Sequence, residues 1–303
     1  MQSKDPPRTH QLARVSELFS DYLSGEVDQA RRAGEIGYMA RTLVLATLPH
    51  RRTVETSFVR TNGAFRLAIM ADPETGLPFG TIPRLLLSFL TTEAVRTKSL
   101  EIMLGNNLTG FLNKLGMVPT GGRWGSITRV RTQAERLFSC AISCRYDSDG
   151  LVGIKNVSPV AEALLWWNPR RPGQQALWQS TVRLTDEFGR EIMRHPVPYH
   201  IPALRALTSS PLAMDLYLWT SYRNSYITKL CRIPWEALQM QFGAGYAFTS
   251  QGKSEFKRAF LRALGKVTVV YPEAKKLRPE DDHLLFVPGQ PHISKKELAQ
   301  EAV

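Results

Sequence analysis

Cysteine is scarce, with three in 303 residues. Three cannot form a fully paired disulfide framework. Cys140 and Cys144 have no second Cys or His pair at zinc-ligand spacing, which argues against a structural metal. On a strand their even spacing would place both on one face, as small buried groups. Long apolar runs are missing too. Leu85–Leu90 and Val160–Trp167 fall far short of the roughly 18 apolar residues a membrane span needs. The opening Met-Gln-Ser-Lys-Asp-Pro-Pro is polar and no apolar signal core follows it. These absences point to a reduced, cytoplasmic protein with no membrane partner. Acid is the third shortage: 27 Asp and Glu stand against 39 Lys and Arg, a net charge of +12. That excess suggests a polyanionic partner, nucleic acid before membrane.

Catalytic signatures are also absent. Gly243-Ala244-Gly245 has no Gly-Lys-Ser/Thr after it and is not a phosphate loop. Asp281-Asp282-His283 are consecutive and read as a solvated turn, not a metal site. Tyr199-His200 raises the question of a nicking nuclease, but no His-x-His pair accompanies it. No nucleophile triad or paired carboxylates stand out. The expectation is a protein that is not an enzyme and uses no cofactor.

What is present is a globular composition, 43% hydrophobic and 22% charged. Leu12, Val15, Leu18, Phe19, Tyr22 and Leu23 predict an amphipathic helix over 10–23, with a short second one over 26–33. Val54–Arg60 and Phe65–Ile69 flank Asn62-Gly63, predicting a hairpin with a type I′ turn. Helices follow over 82–97, from Asn107 to Gly116, and over 126–138, then a strand over 140–146. Hairpin, three helices and a strand outline a winged helix.

Asp149-Gly150 marks the expected domain boundary. The second half loosely repeats the scheme. A strand is expected over 151–154, and 160–167 fits either helix or strand. A hairpin is expected with arms 180–184 and 191–195, then helices over 202–207, 210–229, 234–240 and 251–264. Ser250 would cap the last helix and Gly265 would stop it, with strands over 266–271 and 284–287 behind it.

Two basic segments carry the chemistry. Over 121–145 there are five arginines and one acidic residue. Ile127, Val130, Ala134 and Leu137 form an apolar face; Arg129, Arg131, Gln133 and Arg136 are read as lying off it, with Arg123 in the preceding turn. Over 249–278 eight basic residues face two acidic ones. There Phe256, Ala259, Phe260 and Ala263 face inward, leaving Gln251, Lys253, Ser254, Lys257, Arg258 and Arg262 largely outward. Lys275, Lys276 and Arg278 could form a wing. Arg pairs bidentately with guanine and Gln with adenine, so both helices are candidate readers of the major groove. Trp166-Trp167 reads as a core or interface plug.

Several long runs resemble the RepA family of plasmid replication initiators. They are Gly37-Tyr38-Met39-Ala40-Arg41-Thr42-Leu43-Val44-Leu45-Ala46-Thr47-Leu48-Pro49-His50, Gly76-Leu77-Pro78-Phe79-Gly80-Thr81-Ile82-Pro83-Arg84-Leu85-Leu86-Leu87, Thr92-Glu93-Ala94-Val95 and Thr120-Gly121-Gly122-Arg123-Trp124-Gly125. The likeness thins over 145–210 and resumes at Pro211-Leu212-Ala213-Met214-Asp215-Leu216-Tyr217 and around Phe256 to Pro272. It implies an α+β protein of two tandem winged-helix domains that binds origin repeats (iterons). It also implies opening of the adjacent duplex and recruitment of the host initiator and replicative helicase. Monomers would bind iterons, and a homodimer could form. The expected organisation is a tail and helical extension over 1–36, winged-helix domains over 37–149 and 150–290, and a tail over 291–303. The alternative is a winged-helix transcriptional repressor without initiator activity.

Overall fold

A computed structural model describes residues 35–148, 151–168, 170–174, 179–243 and 245–294. The helices expected over 10–23 and 26–33 lie outside these residues. The chain runs β1 (Ile36–Ala40), α1 (Arg41–Leu45), β2 (Ser57–Asn62), β3 (Phe65–Met70), α2 (Thr81–Thr97), β4 (Glu101–Gly105), α3 (Leu108–Lys114) and α4 (Ser126–Ser139). Next come β5 (Ala141–Ser148), β6 (Leu151–Asn156), β7 (Val160–Leu164), β8 (Ser180–Leu184), α5 (Asp186–Arg194), β9 (Pro196–His200) and α6 (Ile201–Ala206). The last elements are α7 (Pro211–Asn224), β10 (Cys231–Pro234), α8 (Trp235–Phe242), α9 (Ser250–Val270), a 3-10 turn (Pro272–Lys276), β11 (Leu277–Pro279) and β12 (His283–Phe286).

One order of elements occurs twice. Helix, strand, helix, helix, strand, strand is first α2, β4, α3, α4, β7, β8 and then α7, β10, α8, α9, β11, β12. The sheets match as well, with orders β4-β8-β7 and β10-β12-β11. In both, the last strand lies between the other two. The first copy carries an insertion between α4 and β7. There β5 and β6 pair with each other and extend the β2–β3 hairpin into a four-stranded sheet, β2-β3-β5-β6.

The chain forms two compact units. One comprises 38–197 and 233–256; the other gathers described residues of 1–37, 198–232 and 257–303. The division expected at 149/150 instead falls inside one sheet, because Ser148 pairs with Leu151 across it.

Local chemistry explains most elements. The Asn107 side chain accepts the Gly110 N–H at 2.7 Å and starts α3. Gly116, at φ 72°, ends it. Ser210 caps α7 by accepting the Ala213 N–H at 3.2 Å. Cys140 and Cys144 are both buried with Ile142. Burial pushes each thiol up to about 12. Two expected motifs meet at Arg84, whose guanidinium donates to Leu48 O at 2.8 Å, Pro49 O at 3.3 Å and Gly80 O at 2.6 Å. The Gly80 N–H also donates to Pro49 O, at 3.0 Å. This arginine ties the Leu43–Pro49 segment to the first turn of α2. Trp167 stacks on Phe111 with ring centroids 5.1 Å apart, while Trp166 is 49% exposed.

Four local expectations are corrected. The β2–β3 turn is Gly63-Ala64, since Asn62 pairs with Phe65. Only Gly63 has positive φ there, at 58°, as in a II′ turn. Residues 186–194 form α5, not the turn and arm of a hairpin. Thr185 caps α5 by accepting the Phe188 N–H at 3.2 Å, and Phe188 and Ile192 bury its one apolar face. Helix α9 runs through Gly265 to Val270, absorbing the strand expected over 266–271. Val267 and Val270 continue the helical burial of Phe256, Phe260 and Ala263. Its cap is Thr249, whose hydroxyl accepts the Gly252 N–H at 3.1 Å. Residues 160–164, read as helix or strand, are a strand.

Candidate nucleic-acid interface

Helices α4 and α9 occupy the same place, third helix, in the two copies of the repeated order. In α4, Ile127, Val130, Ala134 and Leu137 are buried. The start of this helix is firmly fixed. Ser126 N–H donates to Thr120 Oγ1 at 2.8 Å, and Thr120 N–H donates to Ser126 Oγ at 2.8 Å. Ser126 Oγ in turn donates to Val118 O at 2.7 Å. A Cβ on Gly125 would collide with the carbonyl oxygens of Thr120 and Gly121, so the turn closes only around glycine.

The outward face of α4 carries Arg129 and Arg131, both exposed, and Arg123 is exposed in the preceding turn. Arg131 shares its charge with Glu135, Nε to Oε1 at 2.9 Å. Gln133 does not lie on this face. It is 6% exposed, and its Oε1 accepts the Phe79 N–H at 2.9 Å. Arg136 is half-buried, lies over the Phe79 ring at 5.2 Å and donates to Leu77 O at 3.2 Å. Burial, then the neighbouring Arg52, lower the affinity of Arg136 for its proton. Both residues hold the 77–79 loop.

In α9, Gln251, Ser254, Arg258 and Arg262 form the exposed stripe, at helical spacings. Gln251 bonds to Glu255 at 3.0 Å, and Ser254 Oγ donates to Ser250 O at 3.0 Å. Lys253 and Lys257 are half-buried on the flanks and engaged elsewhere. Lys253 pairs with Glu236 at 2.5 Å. Lys257 Nζ donates to the carbonyls of Glu280 and Asp281 at 2.7 and 3.1 Å. Lys275 and Lys276 are exposed in the 3-10 turn before β11, with Lys276 paired to Glu273 at 2.7 Å. They and Arg278 do not reach the tip of the β11–β12 hairpin. That tip is Glu280-Asp281-Asp282, so the basic wing expected there is acidic at its end.

Other side chains lie beside these helices at places that no local sequence signal marks. Trp124 is 79% exposed beside Arg123, whose guanidinium sits 5.1 Å from its ring centroid. Phe248 is 70% exposed in the turn before α9. Arg51 lies over the Tyr246 ring at 5.9 Å, and exposed Arg52 faces Arg136. The basic run at 50–52 was a visible signal; its proximity to α4 and to the α8–α9 turn was not. Tyr199 and His200, raised as nuclease residues, are 1% and 4% exposed. His200 Nε2 lies 3.2 Å from Glu35 Oε2, and its backbone N–H donates to Tyr217 Oη at 2.9 Å. No helix among the described residues is long and apolar enough to cross a membrane.

Two exposed cationic helix faces at equivalent places suit a polyanion. The chain is similar in fold to a crystal structure of selenomethionine derivatives of domains 2 and 3 of RctB, with a TM-score of 0.50 and 13% identity. That match covers 74% of this chain and 83% of the other. A second crystal structure of RctB domains 2–3 aligns at a TM-score of 0.46 and 12% identity, covering 74% and 82%. No curated protein sequence matches the chain significantly. The family model of plasmid-encoded RepA proteins matches residues 77–236, a span that contains the whole first repeat and, of the second, α7 and β10 up to the start of α8. The chain belongs to the family of plasmid-encoded RepA proteins.

Proposed function

We propose that this protein initiates plasmid replication by binding repeated origin sequences (iterons) through two tandem winged-helix modules. The repeated element order, with a cationic helix third in each copy, carries this reading. A winged helix places its third helix in the major groove, so α4 and α9 would address successive groove segments. Arg123, Arg129 and Arg131 serve the first segment. Gln251, Ser254, Arg258 and Arg262 serve the second. Lys275 and Lys276 add phosphate contacts. Gln133, Arg136, Lys253 and Lys257 hold the surfaces that present them. Bound copies help open adjacent duplex and bring in the host initiator and replicative helicase, in the bacterial cytoplasm. A homodimer is a second state of the same chain. The role is non-catalytic: the sequence offers no catalytic constellation.

A plasmid carrying the DNA that flanks this gene, in a host supplying the protein in trans, tests the reading. Replication that depends on the protein, and is lost on combined Arg129→Ala and Arg258→Ala substitution, is expected. Operator-type binding with no support of replication would favour a repressor instead.

A further inference from the structure

Trp124 and Phe248 hold the same position in the two repeats. Each directly precedes a helix cap, Gly125 for α4 and Thr249 for α9. An apolar residue there ordinarily folds down onto the fourth helical residue as a staple. In this chain those fourth residues are Arg129 and Lys253, so the staple position on each helix is charged, not apolar. The two rings are accordingly 79% and 70% exposed.

Both rings stand on fixed supports. Trp124 lies in the loop that the Thr120–Ser126 hydrogen-bond pair closes, and sits under Arg123. Behind Phe248, the Ala247 carbonyl accepts from Gln239 Nε2 at 2.9 Å, and Tyr246 packs edge-on to Phe256 at 5.7 Å. Cations flank them: Arg123 over the first, and Arg51 over Tyr246, two residues from the second. An apolar protein partner would meet those charges unfavourably; DNA would not. The N-terminal end of a recognition helix meets base edges in the major groove. The apolar feature of that groove is the thymine C5-methyl.

We propose that Trp124 and Phe248 are matched contacts for thymine methyl groups, one per module. This inference rests on the DNA-binding reading above. Its test compares three duplexes with the full-length protein: the DNA flanking its gene, the same DNA with uracil replacing thymine, and random sequence. Uracil pairs like thymine but lacks the methyl. The expected preference for thymine is about fourfold for each methyl buried. Trp124→Ala and Phe248→Ala should each remove part of that preference and the double variant all of it, while Trp124→Phe retains it. Equal binding of thymine and uracil DNA, still tighter than random DNA, would overturn the inference and leave the initiator reading standing. Alanine variants with full thymine preference would overturn it as well. So would variants that bind DNA normally but lose self-association in sedimentation, since the rings would then contact a second copy. Equal binding of all three duplexes would defeat both readings.

Discussion

The side-chain carbonyl of Gln133 accepts the backbone N–H of Phe79 at 2.9 Å, which turns this glutamine away from solvent. Gln133→Ala would leave that N–H without its partner, at a cost of about 1–3 kcal/mol. A urea titration should show the lowered midpoint. Base preference in the folded protein should stay unchanged. A variant of normal stability with altered base preference would return Gln133 to the reading face.

Arg84 is 3% exposed and serves the carbonyls of Leu48, Pro49 and Gly80. Arg84→Met keeps much of the volume but takes the arginine donor from the Leu48 and Gly80 carbonyls, while Pro49 O keeps the Gly80 N–H. We expect a loss of about 2–4 kcal/mol, since each buried unsatisfied group costs about 1–3 kcal/mol. Calorimetry would register it, and an unchanged melting temperature would show that the acceptors find other donors.

The buried thiols set a pH dependence. Cys140 and Cys144 rise from an ordinary 9.0 to about 12, mainly by burial. The unfolded chain therefore loses these protons first as pH rises. Their contribution to stability is complete below about 9 and falls away between about 9 and 12. Cys140→Ala with Cys144→Ala should flatten that alkaline decline. At pH 8 a thiol reagent should label neither of these two cysteines in the native protein, and both after denaturation.

Charge removal should separate two groups of residues. Arg129→Gln, Arg258→Gln and Arg262→Gln remove exposed cations from the proposed groove faces. Each should weaken DNA binding. A phosphate contact lowers the salt slope by about one, and a base contact costs about 1–3 kcal/mol on specific DNA alone. Lys253→Gln and Lys257→Gln remove charges already held by Glu236 and by the carbonyls of Glu280 and Asp281. These should affect folding stability more than DNA affinity. Equal DNA losses in both groups would contradict the assignment.

The sequence made much of the first repeat legible. Asn107, Gly116 and the Ile127–Leu137 spacing specify α3 and α4 locally, through caps and period. The position of Gln133 was legible in principle, because it follows Val130 by three and so falls on the buried face. The end of α9 was not. Val267, Thr268, Val269 and Val270 favour strand by local propensity, and only packing of Val267 and Val270 keeps them helical. The joining of β5 and β6 to the β2–β3 hairpin is a long-range pairing that no local signal encodes. The exposed Trp124 and Phe248 carried no sequence signal either, because an aromatic residue before a helix cap usually announces a buried staple.

Sequence-specific DNA binding by both repeats is decided by equilibrium binding to the DNA flanking this gene. The measurement sets that DNA against random duplex across a salt series, with footprints read at each step. Protection at regularly spaced repeats is expected, with a specificity ratio that persists as salt rises. Equal affinity for both DNAs, collapsing together with salt, would contradict it and reduce the +12 charge to a non-specific field.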